Sequence, residues 1–170
     1  NGTVTSGNTS NTNITSTVTI QDDDIPTVSM ADITVNEDIG VAIVTISLSN
    51  PSSFETIISV TTTNDTALDP DDYVTTTVTA TLIAFQNTVQ ISIPIRDDTI
   101  SEPTETFSVQ GTVTTSNTFN TDPSGTVTIT DNDDSIVSIE DLTVSEDLGN
   151  INVPITIQGL SPVDTELNIT

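Results

Sequence analysis

The 170-residue sequence has no cysteine, no histidine and no tryptophan, and its one basic side chain is Arg96. Without thiols and imidazoles there are no disulfide staples, no cysteine nucleophile, no Ser-His-Asp machinery and almost no way to build a zinc centre. Without clustered Lys and Arg, nucleic acid and anionic membrane surfaces are poor partners. No apolar run approaches the ~20 residues that a membrane-spanning helix needs, so direct membrane insertion is not expected. The first residues fall mid-pattern and no leader segment is visible, so the sequence reads as a window of a longer protein.

Acid is plentiful. Asp and Glu number 25, for a formal charge of −24. A disordered acidic chain would share the scarcity of aromatics, but 33% of the residues are hydrophobic, many of them Val and Ile in alternating runs. Such runs mark strands, and the charge is then best explained by cations that neutralise part of it on folding.

The sequence repeats itself. Thr17 to Gly40 reads TVTIQDDDIPTVSMADITVNEDIG, and Thr126 to Gly149 reads TVTITDNDDSIVSIEDLTVSEDLG, an ungapped offset of 109. The match extends back to Gly2/Gly111 and Asn8/Asn117, and forward to Val44/Val153 and Thr61/Thr170. Residues 1–24 then form the C-terminal end of one repeat, 25–133 a complete repeat, and 134–170 the N-terminal part of the next.

Period-two alternation recurs throughout the complete repeat. Val89, Ile91, Ile93 and Ile95 share one face; Gln90, Ser92 and Pro94 share the other. Threonine, with 36 copies, is β-branched and suits the solvent face of a strand. Strands are expected near 27–36, 41–49, 55–63, 74–85, 88–96, 104–115 and 118–130. This is an all-β fold, a seven-stranded antiparallel immunoglobulin-like sandwich. Pro94 and Pro154 lack an N–H and belong at edges or bulges. The aromatics Tyr73, Phe85, Phe107 and Phe119 lie in or beside strands and read as core.

The carboxylates gather between strands: Asp22-Asp23-Asp24, Glu37-Asp38, Asp69 to Asp72, Asp97-Asp98, Glu102 with Glu105, Asp131 to Asp134, and Glu146-Asp147. In a Greek-key order, the loops with Glu37, Asp72, Asp97/Asp98 and Asp131–Asp133 would meet at one pole. So much like charge is strongly repulsive without cations. Hard oxygen ligands on flexible loops suit Ca²⁺, several ions per repeat, rather than Mg²⁺ with its strict octahedron. An EF-hand is excluded, because Asp22 leads to Ile33 and Asp131 to Leu142 where that loop needs Glu. Isolated acids such as Asp38 and Asp69 read as turn residues.

The run ISIPIRDDTISEPTETFSV, Ile91 to Val109, resembles the Calx-beta module, as do Asp71-Asp72-Tyr73 and the Gly125-Thr126-Val127-Thr128-Ile129 run into Asp131-Asn132-Asp133. The resemblance covers the whole middle repeat and the visible parts of its neighbours. It implies a sandwich that binds several Ca²⁺ ions at one end. By motif it implies as ligands Glu37, Asp72, Asp97, Asp98, Ile100 through its carbonyl, Glu102, Glu105, Asp131, Asn132 and Asp133. Asp22, Asp23 and Asp24 would close the preceding repeat's site, and Glu146 would open the next. Thr99 replaces a frequent third Asp and Asn132 is neutral, which removes or weakens a ligand.

Calx-beta modules serve as cytosolic calcium sensors in exchangers and as stalk arrays in large bacterial adhesins. Linker-free repeats rich in Thr, Asn and Ser favour the second: a calcium-rigidified stalk on the bacterial cell surface, extracellular, holding a distal tip with its own surface ligand. The expected partners are neighbouring repeats of the same chain, with lateral self-association into filaments as a further contact. The alternatives are repeats that bind an adhesion ligand themselves, or a calcium sensor. No enzyme is expected. Glu37 and Glu102 could form an acid/base pair on a glycan, but calcium accounts for them and no aromatic sugar platform is evident.

Overall fold

A computed structural model describes every residue except 4, 6, 8, 9, 11, 12, 22, 160–163, 165, 169 and 170. In chain order the strands are β1 (Gly2–Thr3), β2 (Asn13–Ile14), β3 (Val28–Met30), β4 (Ile33–Asn36), β5 (Val41–Leu48), β6 (Thr56–Asn64), β7 (Thr77–Leu82), β8 (Thr88–Pro94), β9 (Glu105–Val113), β10 (Ser124–Thr130), β11 (Ile136–Ile139) and β12 (Ile155–Gln158). A 3-10 turn, Glu37–Ile39, separates β4 from β5. Among the described residues no helix is long and apolar enough to cross a membrane.

Two sheets carry the middle repeat. One has five strands in the order β4-β10-β9-β6-β7, and the other has three in the order β3-β5-β8. Alternation in the sequence becomes alternation in burial: along β5, Ala42, Val44, Ile46 and Leu48 point inward and Val41 and Ile43 outward. One continuous core runs from Val28 to Ile129. Pro94 lies on β8, at the edge of the smaller sheet, where its missing N–H costs no ladder bond. Pro154 stands immediately before β12.

The structure departs from the expected strands in three ways. The expected strand 27–36 is two strands in different sheets, β3 and β4, broken at Ala31-Asp32. Gly125 permits that crossing, since a Cβ there would stand 3.0 Å from the Ala31 carbonyl oxygen. Second, the β4–β10 pair is parallel, so the sandwich is not purely antiparallel. Third, the strands expected at 74–85 and 118–130 shrink to Thr77–Leu82 and Ser124–Thr130, because Phe85 and Phe119 are in loops. These two phenylalanines are exposed, and of the four aromatics expected in the core only Tyr73 and Phe107 join it. Alternation could not assign them, because Phe119 follows the polar run Thr115-Ser116-Asn117-Thr118 and Phe85 sits in the turn that ends the apolar run Leu82-Ile83-Ala84.

The flanking segments reproduce the pairings of the middle repeat. β11 and β12 join Val137↔Ile157 and Ile139↔Ile155, which are Val28↔Leu48 and Met30↔Ile46 shifted by 109 residues. β1 and β2 join Thr3↔Asn13, which shifts to Thr112 and Asp122, on the register line of β9 and β10. β11 and β12 are exposed along their whole length.

Candidate metal centre

The pairings bring four chain segments to one pole: the 3-10 turn, the β6–β7 loop, the β8–β9 loop and the chain leaving β10. Parallel pairing ends with Thr130 opposite Asn36, so the next residues on each strand, Asp131 and Glu37, are neighbours. Gly40, at φ 73°, reverses the chain after the turn, and its carbonyl accepts from Ile95 N at 3.0 Å. That bond ties the turn to the β8–β9 loop. There Asp98 N donates to Glu37 Oε1 at 3.1 Å, and Ile100 N donates to Asp98 Oδ1 at 2.6 Å.

A second anchor is aromatic. Tyr73 and Phe107 are fully buried and stack with ring centroids 4.0 Å apart and planes 5° from parallel. The Tyr73 hydroxyl donates to Asn64 Oδ1 at 2.6 Å. Asp72 precedes Tyr73, and Glu105 sits two residues before Phe107, so the stack sets these carboxylates side by side. The loop is braced further by Leu68 N on Asp72 Oδ2 (2.6 Å) and Arg96 N on the Asp72 carbonyl (2.9 Å).

Two carboxylate groups result. Glu37, Asp131 and Asp133 form one, and Asp72, Glu102 and Glu105 the other; in each, one oxygen per residue lies within 4.8 Å of the rest. Two oxygens at ~2.3–2.6 Å from one Ca²⁺ stand at most ~5 Å apart, so this spacing fits ligands of a shared ion. Between the groups is a cleft of about 10 Å³, floored by Ile129 and Pro103. It holds a water or an ion and nothing organic. An open cleft of about 430 Å³ beside it is lined by Asp71, Asp72, Asp97, Asp98, Ile100 and Glu102.

The electrostatics show what the arrangement demands. Glu37 is buried, and its carboxyl is pushed up from 4.5 to about 7, by burial first and then by Asp98, Asp131 and Asp133, against a lowering bond from Asp98 N–H. Glu105 is likewise pushed up to about 7, by burial, by a hydrogen bond with Asp72 and by the charges of Asp72, Glu102 and Glu37. Glu102 is raised by burial and by Asp72, Asp98, Asp131 and Asp71. Asp133 is raised by desolvation and by Asp131 and Asp97. Asp131 Oδ1 and Asp133 Oδ2 are buried without a hydrogen-bond partner among the described residues. Buried acceptors are normally paired, and these two are the lone-pair sites a cation would fill. The donor set is all hard oxygen, which fits Ca²⁺.

Of the ten positions singled out in the middle repeat, Glu37, Asp72, Glu102, Glu105, Asp131 and Asp133 form the two groups. Asp97, Asp98 and Ile100 line the adjoining cleft. Asn132 is exposed and belongs to neither group. Asp22 lies outside the described residues. Asp23, Asp24 and Glu146 are exposed, and among the described residues none joins a carboxylate group. Asp71 was missed as a site residue, although its adjacency to Asp72 in the sequence is a usable signal. Asp69 is a turn residue: its Oδ1 accepts from Thr75 N at 2.8 Å.

A search of curated protein sequences found no match. Solved structures do match. A crystal structure of the apo-form Calx CBD1 domain has a TM-score of 0.56 and 19% identity, over 65% of this chain and 100% of that one. The calcium binding domain CBD12 of CALX1.1 also gives 0.56 at 19% identity, over 75% of this chain. The present chain spans 56% of that structure's length. These likenesses establish the β-sandwich fold. The sequence profile of the Calx-beta domain matches residues 19–141, well over half of the sequence, and the chain belongs to the Calx-beta family.

Proposed function

We propose that the chain is a run of consecutive calcium-binding repeats, 1–24, 25–133 and 134–170, from the stalk of a bacterial cell-surface adhesin, with no catalytic role. The carrying observation is the site's position. Asp131 and Asp133, each with one buried oxygen that lacks a hydrogen bond among the described residues, sit on the chain that runs from β10 into β11. An ion there ties the end of one repeat to the start of the next. The calcium-binding title of a structural neighbour supports the choice of ion.

Extracellular calcium modules bind at about 0.1–1 mM. At ~1 mM calcium each site then contributes ~0.4–1.4 kcal/mol by mass action, and neutralising the cluster adds relief of repulsion. The stalk stiffens, and a distal tip is held away from the cell. Scattering from the full protein tests this: the maximum dimension should shorten and the profile lose its rod character on chelation. An unchanged profile, with an unchanged melting temperature, sinks the reading. A calcium dissociation constant near micromolar would favour the sensor instead.

A further inference from the structure

The pole opposite the acids exposes five large apolar side chains. There Ile25 is 57% exposed, Phe54 70%, Ile83 63%, Phe85 76% and Phe119 80%. Their segments are bonded to one another: Ser52 accepts Phe85 N at its carbonyl (2.8 Å) and Asn117 Nδ2 at its hydroxyl (3.0 Å), and Phe119 N donates to the Pro26 carbonyl (2.8 Å). Phe85 stands at φ 69°, a conformation a bulky side chain adopts only under constraint. Phenylalanines that each cover ~150–250 Å² when buried are rarely left on a free surface in such number.

We propose that this rim docks on the acidic pole of the preceding repeat in the same chain. The inference rests on reading the chain as consecutive repeats, and chain connectivity selects the occupant. Asp22-Asp23-Asp24 aligns with Asp131-Asn132-Asp133 at the offset of 109, so Asp24 ends the preceding repeat's acidic segment. From Asp24 to Val28 is four residues, at most ~14 Å at ~3.5 Å each. The tether is also held down, because Asn50 Nδ2 donates to the Asp24 carbonyl at 2.7 Å. The preceding repeat's pole therefore cannot be far from the rim. That pole has apolar material to offer. On the middle repeat it exposes Ile39 and Leu68 beside the acids, and Leu148 keeps the apolar character of Ile39 one repeat on.

The rim is separable from the fold. Ser10 stands at the repeat position of Phe119, and Val163 at that of Phe54, so Phe119→Ser and Phe54→Val are changes that the repeat itself contains.

Maleimide labelling of the full protein tests the proposal, with Ala84→Cys between Ile83 and Phe85 as the probe. Thr79→Cys on the solvent face of β7 is the freely exposed control, and sites are read by peptide mass. In calcium the A84C thiol is expected to react at least tenfold slower than the T79C thiol, independently of protein concentration. Adding Phe119→Ser and Phe54→Val should restore most of that rate. Equal rates at the two thiols overturn the proposal, as does a slow A84C rate that the rim substitutions leave unchanged. Protection lost on dilution overturns it in favour of a second chain as occupant. Failure of the calcium reading shows separately, as a melting temperature indifferent to chelation.

Discussion

Replacing Glu37 with glutamine separates what the carboxylate cluster costs the fold from what it does for a cation. Glu37 is 5% exposed and its carboxyl is raised from 4.5 to about 7. A shift of roughly 2.5, at ~1.4 kcal/mol per unit, makes the ionised carboxylate cost the metal-free fold on the order of 3 kcal/mol at pH 8. Glutamine keeps the shape, stays neutral, and retains an oxygen to accept the Asp98 N–H. In metal-free buffer at pH 8, Glu37→Gln is therefore expected to be more stable than the parent by ~2–3 kcal/mol. The pH dependence follows from a folded pKa above the unfolded one. The parent's stability is fully present below pH 4.5, where the group is protonated in both states, and is lost as pH rises through about 7. The advantage of the variant should thus vanish near pH 4.5. In saturating calcium the order should reverse, because the neutral amide is a weaker ligand and the parent gains by binding. Urea unfolding after passage over chelating resin, at both pH values and with calcium restored, supplies all the comparisons. A variant no more stable than the parent in metal-free buffer at pH 8 refutes the claim that Glu37 is held in a desolvated, like-charged cluster.

Asp131→Asn removes charge from a carboxylate whose Oδ1 has no hydrogen bond among the described residues. Its calcium affinity should fall roughly tenfold or more, about 1.4 kcal/mol, in titration calorimetry; unchanged affinity would assign the ion to other residues. Magnesium at equal concentration should restore little of the calcium-dependent rise in melting temperature, since it resists replacing its waters with loop carboxylates; full restoration would point to simple charge screening. Phe107→Ala removes one face of the Tyr73 stack and should cost ~3–5 kcal/mol in urea unfolding. It should also weaken calcium binding, because Glu105 and Asp72 lose their common support. A cost below ~1 kcal/mol would show that the stack does not organise the pole.

The sandwich was legible because β5, β6, β8 and β9 present one buried face each, and a period of two says so without reference to distant residues. The acidic pole was legible because Asp97-Asp98, Glu102 and Glu105 sit at or between strand ends, and alternate loops of a sandwich emerge at the same end. Other features depend on contacts that no local pattern contains. The break at Ala31-Asp32 is set by how close β3 and β10 approach at Gly125, and the parallel β4–β10 pair joins residues 94 apart, such as Ile33 and Val127. Hence the sequence nominates Glu37 and Asp131, while the register explains why they are adjacent. The exposed Phe85 and Phe119 illustrate the opposite limit. Hydrophobicity alone favours burial, but whether a loop phenylalanine meets the core or the next surface depends on loop geometry.

The chain that leaves β10 leads from the site directly into β11. Extended backbone sends alternate side chains to opposite sides, so Asp131 and Asp133 face Glu37 together while Asn132 faces solvent. Neutral Asn132 is therefore tolerated at the outward position, whereas either flanking acid is needed inside. Three residues after Asp133 the next strand, β11, begins at Ile136. In the proposed array, fixing both flanking acids on an ion would fix the direction in which the next repeat departs. Without the ion, the like charges of Asp98, Asp131 and Asp133 around Glu37 oppose that grouping. In the proposed stalk one short acidic segment thus sets both the stability of its own repeat and the angle to the next, and a single substitution at Asp131 should loosen both together.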